Sequence, residues 1–287
     1  MRKAMGIVAL VVGCAPGSET AATMSAPRGM VRVEGQSFLM GTDSSAVPAI
    51  MGRYNLTRRE ILAAELNQHE VTVSDFFLDP RDVTNGEFAE FVRAQPEWSR
   101  AQVDTAFHNG RYLVHWDHDG PATSDLDRPV TFVTWYAAVA FCDWLGKRLP
   151  TEPEWELAAG GGDPAIEFPW GQDLPSNEVV SWSGGGHERP MPVASYPPTG
   201  LGFYDLSGNV WKFLADPWSG SYAETAQKMA EADSLTTADT LRVRRVVRGG
   251  SYGASVVNLR VRYRDSHRPF DAREMVGFRC ARSADGA

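Results

Sequence analysis

One segment of the chain, residues 202–213, combines residue types that could coordinate a cation or build a rigid loop. It contains four aromatic side chains, two glycines and the oxygen donors of Asp205 and Asn209. Such oxygens accept hydrogen bonds from nearby amides or ligate a hard cation. The glycines disfavour a helix, and the irregular pattern disfavours a plain strand. We therefore predict an ordered loop on which other parts of the chain pack.

The closest histidine pair, His115 and His118, belongs to the sequence HWDH. A spacing of three residues could place both rings on one helical face, but Gly110, Gly120 and Pro121 favour a loop. A zinc site would need a third ligand, and the sequence identifies none. We expect a solvated loop, with metal binding as the alternative.

Short motifs spread along the whole chain resemble those of one enzyme family. In chain order they are MG (40–41), VTN (83–85), VTW (133–135), GKRLPTE (146–152), PWG (169–171), GNVW (208–211), RGGS (248–251) and GFR (277–279). In this order they resemble the formylglycine-generating-enzyme, or sulfatase-modifying factor, domain. The resemblance implies that family's α+β fold, related to C-type lectin domains, with little regular secondary structure and many loops.

The resemblance also implies where an active site would lie. Enzymes of the family oxidise a substrate cysteine with oxygen, using two cysteines, understood to bind copper, that follow the Gly-Gly-Ser motif. Counted from Gly249, these positions fall on Ala254 and Leu259. Hydrocarbon side chains cannot ligate copper(I), which requires soft ligands. We therefore expect no copper and no formylglycine-generating activity.

A calcium site is implied by the GNVW motif. The matching positions are Asp205, Gly208, Val210 and Lys212. Lys212 stands where relatives have a glutamate, and an ammonium repels a cation. We expect this ammonium to replace the ion and bond to Asp205 and the carbonyls; the alternative is that Lys212 faces water and calcium still binds weakly. A second calcium site maps loosely onto Asn177 and the Glu178 carbonyl.

The N-terminus has the features of an export signal. Arg2 and Lys3 precede an apolar run at 4–12, which is too short to span a membrane. The sequence VVGC, ending at Cys14, resembles a bacterial lipobox, in which the cysteine is lipidated. An ordinary secretory signal cleaved near Ala22 is the alternative. We predict an envelope-anchored protein, on the periplasmic face or at the outer membrane, with a signal peptide at 1–13, a tether at 14–27 and one domain at 28–285.

The two remaining cysteines, Cys142 and Cys280, form an even set in an exported domain, where disulfides persist. Secreted members of the family that carry cysteines at these two places pair them. We expect this disulfide, and two buried free thiols are the alternative.

Arginines are concentrated in residues 242–282, with eleven against three carboxylates. Arg260, Arg262 and Arg264 alternate along a predicted strand and would share one face. In the family this region lines the substrate groove, so it could bind an anionic peptide or glycan. The candidate groove residues are Ser251, Tyr252, Arg262 and Trp211. For most of the arginines we favour internal ion pairs, and Trp211 is also a candidate core residue.

The composition limits the function further. The chain has 28 basic and 36 acidic residues, a formal charge of −8, which argues against nucleic-acid binding. A hydrophobic content of 43% with nine tryptophans is ample for a packed core. The 27 glycines and 18 prolines predict many turns and loops.

Helices are predicted after capping threonines. Thr84 and Thr151 begin capping boxes, and Thr134 begins a helix that extends to Leu145. Alternating patterns predict strands at 30–41, 71–78, 242–247 and 259–264. Polar insertions at 42–68 and 219–240 are each expected to contain a short helix, at 57–66 and 224–232.

These observations favour a non-catalytic binding or scaffold module whose partner is an envelope protein, peptide or glycan. The alternative is an oxidoreductase of the same superfamily, similar to a pyoverdine-maturation enzyme, that acts through a non-cysteine site. Such relatives also lack the two cysteines. A third hypothesis is ligand display near residues 249–277, as in retroelement-diversified proteins of this fold.

Overall fold

The computed structural model describes residues 29–117, 120–222 and 243–284. The strands are β1 (Val31–Val33), β2 (Gln36–Met40), β3 (His69–Val73), β4 (Phe76–Leu78), β5 (Trp211–Pro217), β6 (Arg245–Arg248), β7 (Arg264–His267), β8 (Val276–Gly277) and β9 (Ala281–Ser283). The α-helices are α1 (Val47–Arg53), α2 (Asn85–Ala94), α3 (Trp135–Trp144) and α4 (Glu152–Gly160). Short 3-10 helices lie at Ser44–Ala46, Arg59–Glu65, Pro96–Trp98, Thr105–Phe107, Thr123–Asp125, Ser183–Gly185 and Val256–Leu259.

Helices α2, α3 and α4 begin where the threonines predict. The Thr84 hydroxyl accepts a hydrogen bond from the Glu87 amide, and the Glu87 carboxylate accepts one from the Thr84 amide. Thr151 and Glu154 form the same reciprocal pair at α4. Thr134 caps α3. Each cap satisfies backbone donors that the first helical turn would leave unpaired.

The strands form three small sheets. One has the order β1-β4-β9, the second is the β2-β3 hairpin, and the third has the order β7-β6-β5-β8. All pairs are antiparallel except β5 with β8. Strand β5 lies inside the four-stranded sheet, which explains why it is buried along nearly its whole length.

Two predicted strands are each divided in the structure. The 71–78 prediction becomes β3 and β4, because β3 pairs with β2 while β4 pairs with β1 and β9. The 30–41 prediction is divided at Gly35, whose amide donates to the Asp75 carboxylate at 2.8 Å. A Cβ atom at Gly35 would lie 2.4 Å from the Val73 carbonyl oxygen. The backbone between β1 and β2 therefore packs directly against the backbone at the end of β3.

The predicted strand at 259–264 is wrong. A 3-10 helix covers Val256–Leu259, a turn follows, and β7 begins only at Arg264. The 242–247 prediction corresponds to β6, and residue 242 lies outside the described residues. The helix predicted at 57–66 is the 3-10 helix Arg59–Glu65. The helix predicted at 224–232 lies outside the described residues.

The largest core cluster packs α2 and α3 against the four-stranded sheet. Its centre is aromatic: Phe88 stacks on Phe141 at 5.6 Å between ring centroids, and Phe278 meets Phe141 edge-on. The predicted Cys142–Cys280 disulfide is present in this cluster, with Cα atoms 5.6 Å apart. A second cluster packs α4 against β1, β2 and β4. Within the described ranges, no helix is both long and apolar enough to cross a bilayer.

Candidate functional site

The loop at 202–210 is fixed by hydrogen bonds to distant segments. The Gly208 amide donates to the Gly249 carbonyl at 2.7 Å, and the Tyr252 amide donates to the Asn209 carbonyl at 2.8 Å. The Asn209 amide donates to the Ser181 carbonyl at 3.0 Å. The loop therefore holds the Gly-Gly-Ser segment in place, and the prediction that other parts pack on it is confirmed.

Two glycines allow this close approach of backbones. Gly208 has φ +81°, and a Cβ atom there would lie 2.3 Å from Val180 Cγ2. Gly249 has φ +89°, and its Cβ would lie 2.2 Å from the Leu206 carbonyl oxygen. Any other residue would be strained in both conformation and space at these positions.

Three of the four groove candidates lie together around Met275. The Ser251 hydroxyl contacts the Met275 sulfur at 3.5 Å, and the Trp211 amide donates to the Met275 carbonyl at 2.7 Å. Tyr252 is the next residue after Ser251; its burial, together with Glu274, raises the pKa of its hydroxyl to about 12. Ser251, Tyr252 and Trp211 are all buried, so they line the interior of the candidate site and expose little surface to a partner.

The two positions that map to copper ligands converge in space. A Cβ atom on Gly250 would lie 2.8 Å from Leu259 Cδ2 and 3.3 Å from the Ala254 Cβ. Both side chains are buried, and both are hydrocarbon. Neither side chain therefore carries an atom that could ligate copper(I).

Arg262, the fourth candidate, binds backbone carbonyls away from the other three groove candidates. Its guanidinium donates to the carbonyls of Ile166 at 2.8 Å and Asp163 at 3.3 Å. It is buried and lies beside the end of α4 instead of beside Met275.

The neighbouring arginines form the internal ion pairs that we favoured. Arg260 pairs with Glu65 at 2.8 Å and also binds Glu167. Arg264 makes two bonds to Glu152, at 2.6 and 2.7 Å. The common basic face predicted for these side chains is therefore wrong, because carboxylates from distant segments surround them.

Lys212 is fully buried, so the alternative in which it faces water does not hold. Its ammonium donates to the Gly208 carbonyl at 2.7 Å and lies 3.7 Å from Asp82 Oδ2. Burial lowers the pKa of this ammonium to about 8, and Asp82 opposes the shift. The carboxylate that pairs with Lys212 is thus that of Asp82, whereas Asp205 accepts a hydrogen bond from the Ala194 amide at 2.8 Å.

The residues present do not fit calcium at this motif. The Lys212 ammonium donates to the Gly208 carbonyl and places beside it a positive charge that would repel a calcium ion. At the second mapped site, the Asn177 side-chain oxygen accepts a bond from Trp182 at 3.3 Å, and Glu178 is exposed. The described part of the chain contains no group of three or more His, Cys, Asp or Glu placed to hold a metal ion.

The histidine segment is a loop at His115, as predicted; His118 lies outside the described residues. The His115 ring lies 3.4 Å from the Asn85 side-chain oxygen, and burial lowers its pKa to about 4. The residue as a whole is exposed, as expected for a solvated loop, and the pKa shift reflects partial burial of the ring.

Asp82 and Met275 were not identified from the amino-acid sequence. Asp82 pairs with Arg279 at 2.8 Å as well as with Lys212. Its position just before the VTN motif was the available signal. Met275 contacts Ser251 through its sulfur, and its place before β8 carries no recognisable pattern.

The fold, with few helices, three small sheets and long loops, is that of the formylglycine-generating-enzyme-like class. It superposes on PvdO from Pseudomonas aeruginosa with a TM-score of 0.62 and 24% sequence identity, covering 88% of this chain and 94% of that one. It superposes on CarF with a TM-score of 0.58 and 20% identity, covering 90% of this chain and 99% of that one.

The family follows from the sequence match. Residues 17–284 match the sulfatase-modifying factor enzyme 1-like domain, and the chain belongs to this family. It is 32% identical to the formylglycine-generating enzyme of Streptomyces coelicolor, over 92% of each chain. It is 33% identical to the mouse protein described as inactive C-alpha-formylglycine-generating enzyme 2, over 89% of this chain and 86% of that one.

Proposed function

We propose that this protein is a non-catalytic binding or scaffold module, anchored in the bacterial cell envelope, that does not generate formylglycine. The observation that carries the proposal is the convergence of Ala254 and Leu259 beside Gly250. The side chains of Ala254 and Leu259 lie close together beside Gly250, and they offer no ligand atom for copper(I). The similarity to a mouse relative described as inactive is consistent with this role.

The direct test is incubation of the purified protein with copper(I), oxygen and a peptide carrying the sulfatase cysteine motif. Mass spectrometry should show the peptide cysteine unchanged, while the Streptomyces coelicolor enzyme serves as the positive control. Conversion of the peptide by the wild-type protein would refute the proposal.

The partner in this proposal is an envelope protein, peptide or glycan. Crosslinking in intact cells followed by affinity capture should recover a stable complex. The expectation of an anionic partner depended on a basic face, and the arginines of that face are paired internally. The partner's chemistry must therefore be inferred from another surface.

The alternative is an oxidoreductase that acts through non-cysteine residues. The buried cluster of Ser251, Tyr252, Trp211 and Met275 supports it, because the cluster adjoins the mapped copper positions. Retention of copper or iron together with oxygen uptake would favour this function. If the protein retains neither metal and takes up no oxygen, the result favours the non-catalytic module.

A further inference from the structure

A cavity of about 500 Å³ lies between α2, the end of α3 and the loop at 79–83. This volume is within the range of ligand-binding cavities. The cavity is remote in sequence from the Gly-Gly-Ser segment, and the mapped copper positions do not line it. We call it the α2–α3 cavity.

The α2–α3 cavity has an apolar wall formed by Phe141, Trp144 and Leu145. Trp144 is 39% exposed and Leu145 is 43% exposed, although both are large hydrophobic residues. The Trp144 ring packs against Phe91 with centroids 5.7 Å apart, which holds it in place. A fixed aromatic surface loses little entropy when a ligand covers it.

Three of the four carboxylates that line the cavity are paired: Asp82 with buried Lys212 and Arg279, Asp79 with Lys147, and Glu87 with Arg81, which leaves Glu90. The lining cations are thereby neutralised, since Arg81 makes two bonds of 2.9 Å to Glu87 and Lys147 lies 2.6 Å from Asp79. Glu90 is exposed and forms no ion pair with another described residue. A positive group on a ligand would therefore meet an unneutralised carboxylate.

The C-terminal end of α3 also favours a positively charged group on the ligand. The C-terminal end of a helix carries a partial negative charge, which favours a cation nearby. Helix α3 has no basic residue in its last turn, and that turn contributes Phe141 and Trp144 to the cavity. Trp144, which is 39% exposed, also belongs to the residue type that interacts best with cations through its ring.

We propose that the α2–α3 cavity binds a segment of a partner protein that presents a lysine or arginine between apolar side chains. The apolar side chains would pack on Trp144 and Leu145, and the basic group would lie near Glu90 and the end of α3. This inference deepens the proposed binding function by naming the partner's chemistry, and it rests on that function.

The test uses calorimetric titration of the full-length protein with two peptides. One is acetyl-Gly-Leu-Lys-Phe-Gly-amide, and the other has glutamate in place of the lysine. The lysine peptide should bind, and more weakly at high salt, because exposed charges are screened. The glutamate peptide should bind at least about tenfold more weakly.

Two variants locate the site. Trp144→Ala should weaken binding of the lysine peptide about tenfold through lost apolar and ring contacts. Glu90→Lys should weaken it about fivefold and remove the preference over the glutamate peptide. Since Glu90 is exposed, its substitution keeps the test informative if Trp144→Ala unfolds the protein.

Matched controls make the same chemical changes away from the cavity. Glu97→Lys reverses an exposed charge just beyond α2, and Leu174→Ala removes a side chain that is 56% exposed. Neither should alter binding. Absence of binding, equal binding of both peptides, or equal losses in variants and controls would overturn the inference. Such a failure would leave the argument from Ala254 and Leu259 untouched. Formylglycine production would instead refute the non-catalytic function on which the inference rests, and the two failures are distinguished because they come from different assays.

Discussion

At the scale of single residues, the buried charge of Lys212 is the feature that most distinguishes the central motif. A buried ammonium is stable only when carbonyls and carboxylates compensate for the lost water. Here the Gly208 carbonyl and Asp82 do so, and Asp82 is shared with Arg279. Lys212 thus joins the central loop to the segment before α2.

We expect Lys212→Met to lower the free energy of unfolding by about 3 kcal/mol, because it removes a partner of buried Asp82 and of the Gly208 carbonyl. The matched control is Lys147→Met. Its ion pair with Asp79 is 20% and 15% exposed, and the loss should be about 1 kcal/mol. Urea denaturation measures both, and equal losses would contradict the role assigned to Lys212.

Asp216 should make the protein less stable as the pH rises. Burial raises the pKa of this carboxyl to about 7 from 3.8, with Glu152 adding to the shift. A folded pKa above the unfolded value gives stability that is present below pH 3.8 and lost as the pH rises through about 7. Asp216 Oδ2 accepts a bond from the Glu152 amide at 2.6 Å, and an asparagine oxygen can accept it without the charge.

Asp216→Asn should therefore be more stable than the wild type at pH 8, on the order of 1–3 kcal/mol, with a smaller difference near pH 5. Urea denaturation at both pH values checks this. Asp173→Asn, at an exposed position, should show no such pH dependence. A gain that is the same at both pH values would show that the carboxyl charge is not its cause.

The convergence of positions 254 and 259 can be tested by restoring ligands. The double variant Ala254→Cys/Leu259→Cys should bind about one equivalent of copper(I), because both positions lie beside Gly250 and two thiolates supply the soft ligands that this ion requires. Metal analysis after dialysis measures this, and each single variant is the control. Copper bound equally by the wild type would mean that another site holds it.

At the scale of elements, the local capping signals were reliable, and of the four alternating patterns only the one at 259–264 was wrong. The caps at Thr84, Thr134 and Thr151 involve residues three positions apart, so the sequence alone predicts them. The stretch at 259–264 alternates like a strand, but alternation alone does not show which distant groups its arginines bind. They face carboxylates far away in the chain, such as Glu65 and Glu152.

In the candidate site, too, some features could be predicted from the sequence and others could not. The loop at 202–210 binds the Gly249 segment through backbone atoms, whereas the sequence predicted only that other parts of the chain pack on the loop. The partner of Lys212 could not be predicted, since Asp82 lies 130 positions earlier and only the tertiary fold brings it near. Met275 was missed because a thioether beside a serine has no sequence signature.

The Cys142–Cys280 disulfide joins α3 to the segment between β8 and β9. We expect Cys142→Ala/Cys280→Ala to lower the free energy of unfolding by about 4–5 kcal/mol, since a long loop is no longer closed in the unfolded chain. Guanidinium denaturation measures the change. Cys14→Ser is the matched control and should leave it unaltered; a loss below about 1 kcal/mol for the double variant would contradict the expectation.

At the scale of the whole molecule, anchoring by Cys14 remains a proposal with a direct test. Cys14→Ser should move the protein from the membrane fraction to the soluble fraction, because the lipid would be its membrane attachment. Fractionation of cells and mass spectrometry of the N-terminal peptide check this. Unchanged membrane association would assign the attachment to a partner or to another segment.

Both ends of the domain flank a single strand, because β1 and β9 pair with opposite edges of β4. Two strand spacings correspond to about 10 Å. A fluorescent protein fused behind β9 would consequently emerge next to the start of the domain and crowd whatever the N-terminus is attached to. Reporters for imaging or pull-down are better inserted in a surface turn away from β1 and β9, where they would leave both ends of the domain free.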